Sequence, residues 1–191
     1  MVRKQANFKI DVWLRDLEAI QSNIVYLRFN NTDFKALADR FNKKRLEPYL
    51  WEFAKRNYIT YMSMAIRRLV DNHRDARSLW KLIDDIEFNS EAFSRQWFLT
   101  QWAGGEHETP FLEFFGSSPV LQKSVISGHK LELETVTKSI RDRADKFEAH
   151  IDKKPKLKSI PTFNDIDNSV EIIAKLYKKY YYLLKQASLT I

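Results

Sequence analysis

The sequence predicts an all-α fold, an antiparallel helical bundle, and three observations carry that prediction. Glycine (4) and proline (5) are scarce among 191 residues, so the chain has few sharp turns. Apolar residues recur at spacings of three and four, and no alternating strand pattern or internal repeat is present. With 44% apolar and 14% aromatic residues, a chain of this length has enough material for a core without disulfides or metals.

The first stripe is Trp13, Leu17, Ile20, Ile24 and Leu27, with Asp11 placed to cap it and Asn30-Asn31-Thr32 placed to end it. A short helix follows through Phe34, Leu37, Ala38 and Phe41, closed by Lys43-Lys44-Arg45. Pro48 suits the first turn of a third helix, whose stripe reads Leu50, Phe53, Asn57, Tyr61, Met64, Ala65 and Leu69, up to Asp71-Asn72. Ala76, Leu79, Trp80, Ile83 and Ile86 define a fourth. Residues 90–119 lose the pattern around Gly104-Gly105 and the Pro110–Pro119 stretch, and read as an inserted, partly helical, acidic segment. A long helix over 120–151 turns Leu133, Val136, Ile140, Phe147 and Ile151 inward, and the loop at 153–161 contains Pro155 and Pro161. The last helix, 164–187, has the cleanest stripe: Ile166, Val170, Ile173, Tyr177, Tyr180, Leu184 and Ala187, with Asp165 as its cap. All of this reads as one domain over 1–191.

Charge and motifs narrow the function. The net charge of +7 is uneven: residues 1–83 carry 17 bases against 9 acids, 84–115 carry 1 against 7, and 123–158 carry 10 against 6. Such a molecule suits polyanions or a charged partner. The absence of cysteine excludes thiol catalysis and cysteine-based metal sites. No apolar run approaches the roughly 18 residues that span a bilayer, and the amino end lacks an apolar leader, so a cytoplasmic protein without membrane contact is expected. Phosphate-loop, nucleophile-elbow and zinc-protease motifs are absent. Gly105-Glu106-His107-Glu108 reads as an acidic loop, and His73 and His129 stand outside any motif. The tryptophans Trp51, Trp80, Trp97 and Trp102 and the run Tyr180-Tyr181-Tyr182 read as packing residues.

Arg143 and His150 are the pair with chemistry. Seven residues apart on a helix, they differ by about 20° in direction and about 10.5 Å in rise, at the edge of the Val136–Ile140–Phe147 stripe. Ser139 and Lys146 lie on the polar side of that edge. An imidazole can take the proton of a ribose 2′-hydroxyl while a guanidinium clamps the phosphate on which charge grows. No metal or cofactor is called for. A histidine that stabilises a helix C-terminus is the plainer reading of the same residue.

The segment Arg143-Ala144-Asp145-Lys146-Phe147-Glu148-Ala149-His150-Ile151-Asp152 resembles the Arg-x(4–6)-His motif of the HEPN superfamily of helical domains, and its tail is similar to the abortive-infection and uncharacterised bacterial branches. Arg67-Arg68-Leu69-Val70-Asp71 followed by Ser78–Ile83 resembles the earlier helix pair of the abortive-infection branch. The resemblance implies a HEPN-like bundle and a metal-independent endoribonuclease, a toxin or phage-defence effector. It implies a homodimer in which two motifs meet in a cleft, Arg143 on the scissile phosphate and His150 as general acid or base. Its partners would be RNA and a cognate antitoxin. Asp145, Asp152, Arg68 and Asp71 take supporting places, and Arg68 and Asp71 equally suit capping and bridging of helices. Two departures stand: Ala144 follows the arginine where active members carry a polar residue, and Ile151-Asp152 replaces the family's His-x-Tyr extension. Lys146, Lys153, Lys154, Lys156 and Lys158 fit RNA phosphates or a plain solvated surface. Some HEPN domains are noncatalytic and bind nucleotides, RNA or a protein partner, and that reading stays open for this sequence.

Overall fold

The computed structural model describes residues 2–44, 47–101, 108–149, 161–187 and 189. Among them the chain is all-α: α1 (Val2–Lys44), α2 (Pro48–Leu69), α3 (Leu79–Phe88), a 3₁₀ turn (Ser90–Ala92), α4 (Arg95–Gln101), α5 (Glu108–Phe115), α6 (Lys123–Arg143), a π-helical segment (Ala144–Ala149) and α7 (Phe163–Lys185). A lone antiparallel bridge joins Ser94 to Val120.

The stripe on α1 is buried as expected, from Trp13 to Leu27. The helix does not start at Asp11 or stop at Asn30-Asn31-Thr32; it runs on to Lys44, about 64 Å in all. Asn31 is the reason. It continues the stripe four residues beyond Leu27 and is itself buried, accepting a 2.5 Å hydrogen bond from the Tyr58 hydroxyl of α2. Asn30 donates back to the Tyr26 carbonyl and across to the Tyr61 hydroxyl. A polar pair that reads as a terminator in sequence fastens two helices here. Beyond it Phe34 stacks on Tyr58 and on Trp51, which also meets Phe41.

In α2, Pro48 sits in the first turn as predicted. The inward face is not the predicted one. Tyr58, Met62, Ser63, Ile66 and Leu69 are buried, whereas Leu50, Phe53, Asn57 and Tyr61 are exposed. Ser78 caps α3 by accepting from the Lys81 amide, and Leu79, Leu82, Ile83 and Ile86 are buried.

Residues 90–119 are partly helical, and they are built into the core through Phe93, Phe98, Phe114 and Phe115. The Arg95 amide donates to the Pro119 carbonyl and the Leu121 amide to the Phe93 carbonyl, which closes the two ends of this segment together. Gly116, at φ +50°, makes the turn after α5.

The final helix matches its predicted stripe through Leu184, and Ala187 lies beyond its end. Its cap is Thr162, not Asp165: Thr162 accepts from the Asp165 amide while the Asp165 carboxylate accepts from the Thr162 amide, a reciprocal capping box. This helix is the centre of the bundle, packed by α6, α1, α2, α5 and α3. Tyr177 is wholly buried and donates to the Leu17 carbonyl of α1. Among the described residues no helix is long and apolar enough to cross a membrane.

Candidate functional site at the end of α6

The motif segment departs from the expected single helix over 120–151. The α-helix ends at Arg143, and Ala144–Ala149 follow as π-helix. A π turn closes i→i+5 bonds, so each residue advances by less than the about 100° of an α-helix. The angular bookkeeping that set Phe147 on the inward stripe therefore fails after Arg143. Phe147 is 43% exposed, and Ala144 holds the core position at 0%. That burial explains an apolar residue after the arginine: Ala144 lies where the segment packs on α2.

Arg143 is half-buried on the last α-helical turn, with its guanidinium carbon 5.6 Å from the centroid of the Phe147 ring. Asp145 points to the other side, where Arg67 of α2 donates from Nε to its carboxylate. Arg67 also pairs with Asp71, at 3.5 Å. The Asp145 hydrogen bond pushes the Arg67 guanidinium above its ordinary value, although burial works against it. Asp71 accepts from the His73 amide, and its carbonyl accepts from Ser78, the α3 cap. Thus Asp145, Arg67 and Asp71 join the motif segment, the end of α2 and the turn into α3.

Arg68 does not take part. It is exposed, about 100° around α2 from Arg67, where it lines a notch with Asn23 and Tyr61, and it makes no ion pair among the described residues. The bridging role expected of it falls to its neighbour Arg67. Lys146 is half-buried on the π segment. His150, Asp152, Lys153, Lys154, Lys156 and Lys158 lie outside the described residues, as do Trp102, Glu106 and His107.

Alongside, α6 and α7 enclose an open groove of about 730 Å³. Ser139 lines it, as the polar side of the Arg143 edge predicts, but Glu132, Asp142, Asp165 and Glu171 outnumber Lys138 and Lys175 there. Four carboxylates make it a poor bed for a phosphate chain.

A buried polar cluster escaped the sequence reading. His129 of α6 lies 3.1 Å from Glu113 of α5 through Nε2 and 3.2 Å from the Tyr180 hydroxyl of α7 through Nδ1, and Lys179 bonds the same Glu113. Burial, then the Lys179 charge, holds the His129 ring below the ordinary histidine value, despite Glu113. Burial works to raise Glu113, but Lys179 and His129 outweigh it and hold the carboxyl below its usual range. A neutral ring that donates from Nε2 to the carboxylate leaves Nδ1 to accept the Tyr180 proton. The signal was the spacing: His129 falls three residues after Ile126 and four before Leu133, on the buried stripe.

No family model, curated protein or solved structure matches the chain.

Proposed function

We propose that the chain is a metal-independent endoribonuclease of the HEPN type, acting as a homodimer. The observation that supports it is the placement of Arg143 on the last α-helical turn before a π-helical segment, a geometry that recurs at functional sites. Here it is pinned to α2 by Arg67 and Asp145. In this reading Arg143 holds the scissile phosphate and Lys146, Lys153 and Lys154 hold its neighbours. His150 takes the proton of the ribose 2′-hydroxyl; that oxygen bonds to phosphorus, the bond to the 5′ oxygen breaks, and the leaving oxygen takes up a proton. Asp145 and Asp71 act through Arg67, which positions the π segment. Asp152 supports His150. The setting is cytoplasmic, as a toxin or phage-defence effector held by a cognate antitoxin.

The test is cleavage of several RNAs in EDTA by the wild type, Arg143→Ala and His150→Ala, with the fold of each checked by circular dichroism. The expected result is cleavage by the wild type, lost by about a hundredfold or more in either variant. Equal cleavage by all three, or none by the wild type, refutes it. The acid-rich α6–α7 groove favours a second reading, a noncatalytic module for a protein partner, and RNA binding insensitive to salt and to Lys146→Ala points there.

A further inference from the structure

Outside the motif, the outward face of the α1–α2 hairpin sets aromatic rings and arginines side by side. On α1, Tyr26, Asn30 and Leu37 form one strip at spacings of 4 and 7, and Phe29, Asp33 and Arg40 form the strip beside it at the same spacings. On α2, Tyr49, Phe53, Arg56 and Thr60 follow at 4, 3 and 4, with Asn57, Tyr61 and Arg68 beside them at 4 and 7. The helices meet along these strips: Asn30 donates to the Tyr61 hydroxyl, and Asn23, Tyr61 and Arg68 line a notch of about 160 Å³ between them. From Tyr49 to Arg68 the face is about 28 Å long.

Its rings Tyr26, Phe29, Tyr49, Phe53 and Tyr61 are open, from 45% exposed for Tyr61 to 77% for Tyr49. The charged residues of the strips are Arg40, Arg56 and Arg68 against Asp33; all four are exposed and none has an ion-pair partner among the described residues. At the flanks Glu52 pairs with Lys55, and Arg67 with Asp71 and Asp145. At the turn the sequence sets Glu47 against Lys43-Lys44-Arg45, so the balance stays positive there too.

These residue types match a single strand of nucleic acid. Exposed rings take unstacked bases, and guanidinium groups both stack and clamp phosphates. Asn30 and Asn57 donate to the Tyr26 and Phe53 carbonyls, and their amide oxygens are left as acceptors for base edges. The same amides disfavour a lipid surface, where polar groups buried without partners cost free energy. At its Arg68 end the face adjoins Arg67, which holds the π segment behind Arg143, so a strand laid along α2 leads to the motif.

We infer that this face is a binding track for single-stranded RNA, on which Tyr26, Phe53 and Tyr61 stack bases and Arg40, Arg56 and Arg68 hold phosphates. The choice of RNA rests on the ribonuclease reading, but the track is a separate surface and its affinity is read without cleavage.

The probe is a fluorescently labelled single-stranded oligonucleotide of mixed sequence carrying 2′-O-methyl groups, which 2′-hydroxyl chemistry cannot cut, and its anisotropy with the full chain gives the affinity. Phe53→Ala is expected to weaken binding about fivefold or more with an unchanged salt dependence, and Phe53→Trp to retain it. Arg40→Ala, Arg56→Ala and Arg68→Ala are each expected to weaken it and to lower the slope of log affinity against log salt by about 0.7. Lys138→Ala, on the acid-rich groove, is expected to change neither, and circular dichroism checks the fold of each variant. A wild type that does not bind overturns the inference. So does binding indifferent to Phe53→Ala or to the three arginine variants, a loss with Lys138→Ala equal to that with Arg68→Ala, a duplex of the same sequence bound as tightly, or Phe53-dependent binding to anionic vesicles in place of the strand. Binding of the expected pattern by a protein that cuts no RNA supports the track and refutes the ribonuclease reading. Cleavage lost in Arg143→Ala, with binding indifferent to Phe53→Ala, does the reverse.

Discussion

Tyr180→Phe is the sharpest test of the buried polar cluster. The ring is wholly buried and meets Phe114 edge-on at 5.5 Å, so phenylalanine keeps the packing and removes only the hydroxyl. What is lost is one hydrogen bond, and what is left behind is the Nδ1 lone pair of His129, a residue 6% exposed. Stranding a buried acceptor costs about 1–3 kcal/mol. For a chain of this size that lowers Tm by roughly 2–12 °C, at about 2–4 °C per kcal/mol. Removing both partners in His129→Phe/Tyr180→Phe strands neither, so the double variant is expected to be more stable than the two single losses add up to, by about 0.5–3 kcal/mol. Urea unfolding at pH 7.5 measures all four corners of the cycle. Strict additivity, or a Tyr180→Phe protein as stable as the wild type, refutes the coupled cluster.

The same cluster gives a pH signature. The folded His129 value is lowered by burial and Lys179, so the unfolded chain takes a proton that the folded chain refuses. Stability then falls as pH drops through the unfolded histidine value, about 6.5, by at most about 1.4 kcal/mol per pH unit. Glu113 is lowered too, and its contribution is kept until the pH falls below the ordinary glutamate value, about 4.3. The span from about pH 6.5 to 5 therefore separates His129 from Glu113. His129→Gln is expected to flatten the slope there, and an unchanged slope places the proton uptake elsewhere.

Other predictions follow from local geometry. Gly116→Ala forces a side chain into the left-handed region and against the Gln122 amide that bonds the Phe115 carbonyl, and is expected to lower stability by about 1–2 kcal/mol. Gly128→Ala meets nothing within 4 Å inside α6 and is expected to raise it by about 0.5–1 kcal/mol, so thermal melts of the two variants should move in opposite directions. Arg67→Ala breaks a pair whose side chains are 32% and 51% exposed, so the melt should move little, while RNA cleavage should fall because the π segment loses its tie to α2; cleavage at the wild-type rate removes Arg67 as a positioning residue.

Periodicity alone made most of the helical bundle legible. The stripes of α1 and α7 were readable from Trp13 to Leu27 and from Ile166 to Leu184, because each has a single apolar face and one period. Boundaries were legible only where a cap is a local rule. Thr162 and Asp165 satisfy one another three residues apart, yet either can be the first cap by type. Asn31 carries no such rule: whether an asparagine stops a helix or bridges to Tyr58, twenty-seven residues away, depends on a tertiary partner that a local reading does not contain. The site was less legible for the same reason. Arg143 was found from its spacing to His150, but the π segment that sets its surroundings has no residue signature, and Arg67 was distinguishable from Arg68 only once α2 had a defined inner face.

That inner face is where the sequence and the fold disagree most, and the disagreement has a physical content. Tyr58, Met62, Ile66 and Leu69 form one apolar row of α2, and Leu50, Phe53, Tyr61 and Met64 form another, about 100° or more around the helix. The first row is buried, whereas Leu50, Phe53 and Tyr61 of the second are exposed. Within the chain α1, α6 and α7 cover the first row, and Asn30 and Tyr61 tie the second to the exposed row of α1. Choosing the second row as the core was therefore a misreading: both rows have a helical period, and only the packing of α1, α6 and α7 on Tyr58, Met62, Ile66 and Leu69 decides between them. Paired substitutions read that difference directly: Phe53→Asp, on an exposed side chain, should leave the thermal melt close to the wild type, whereas Met62→Asp, on the buried row, should unfold the chain, and unfolding by both refutes the assignment of the inner face.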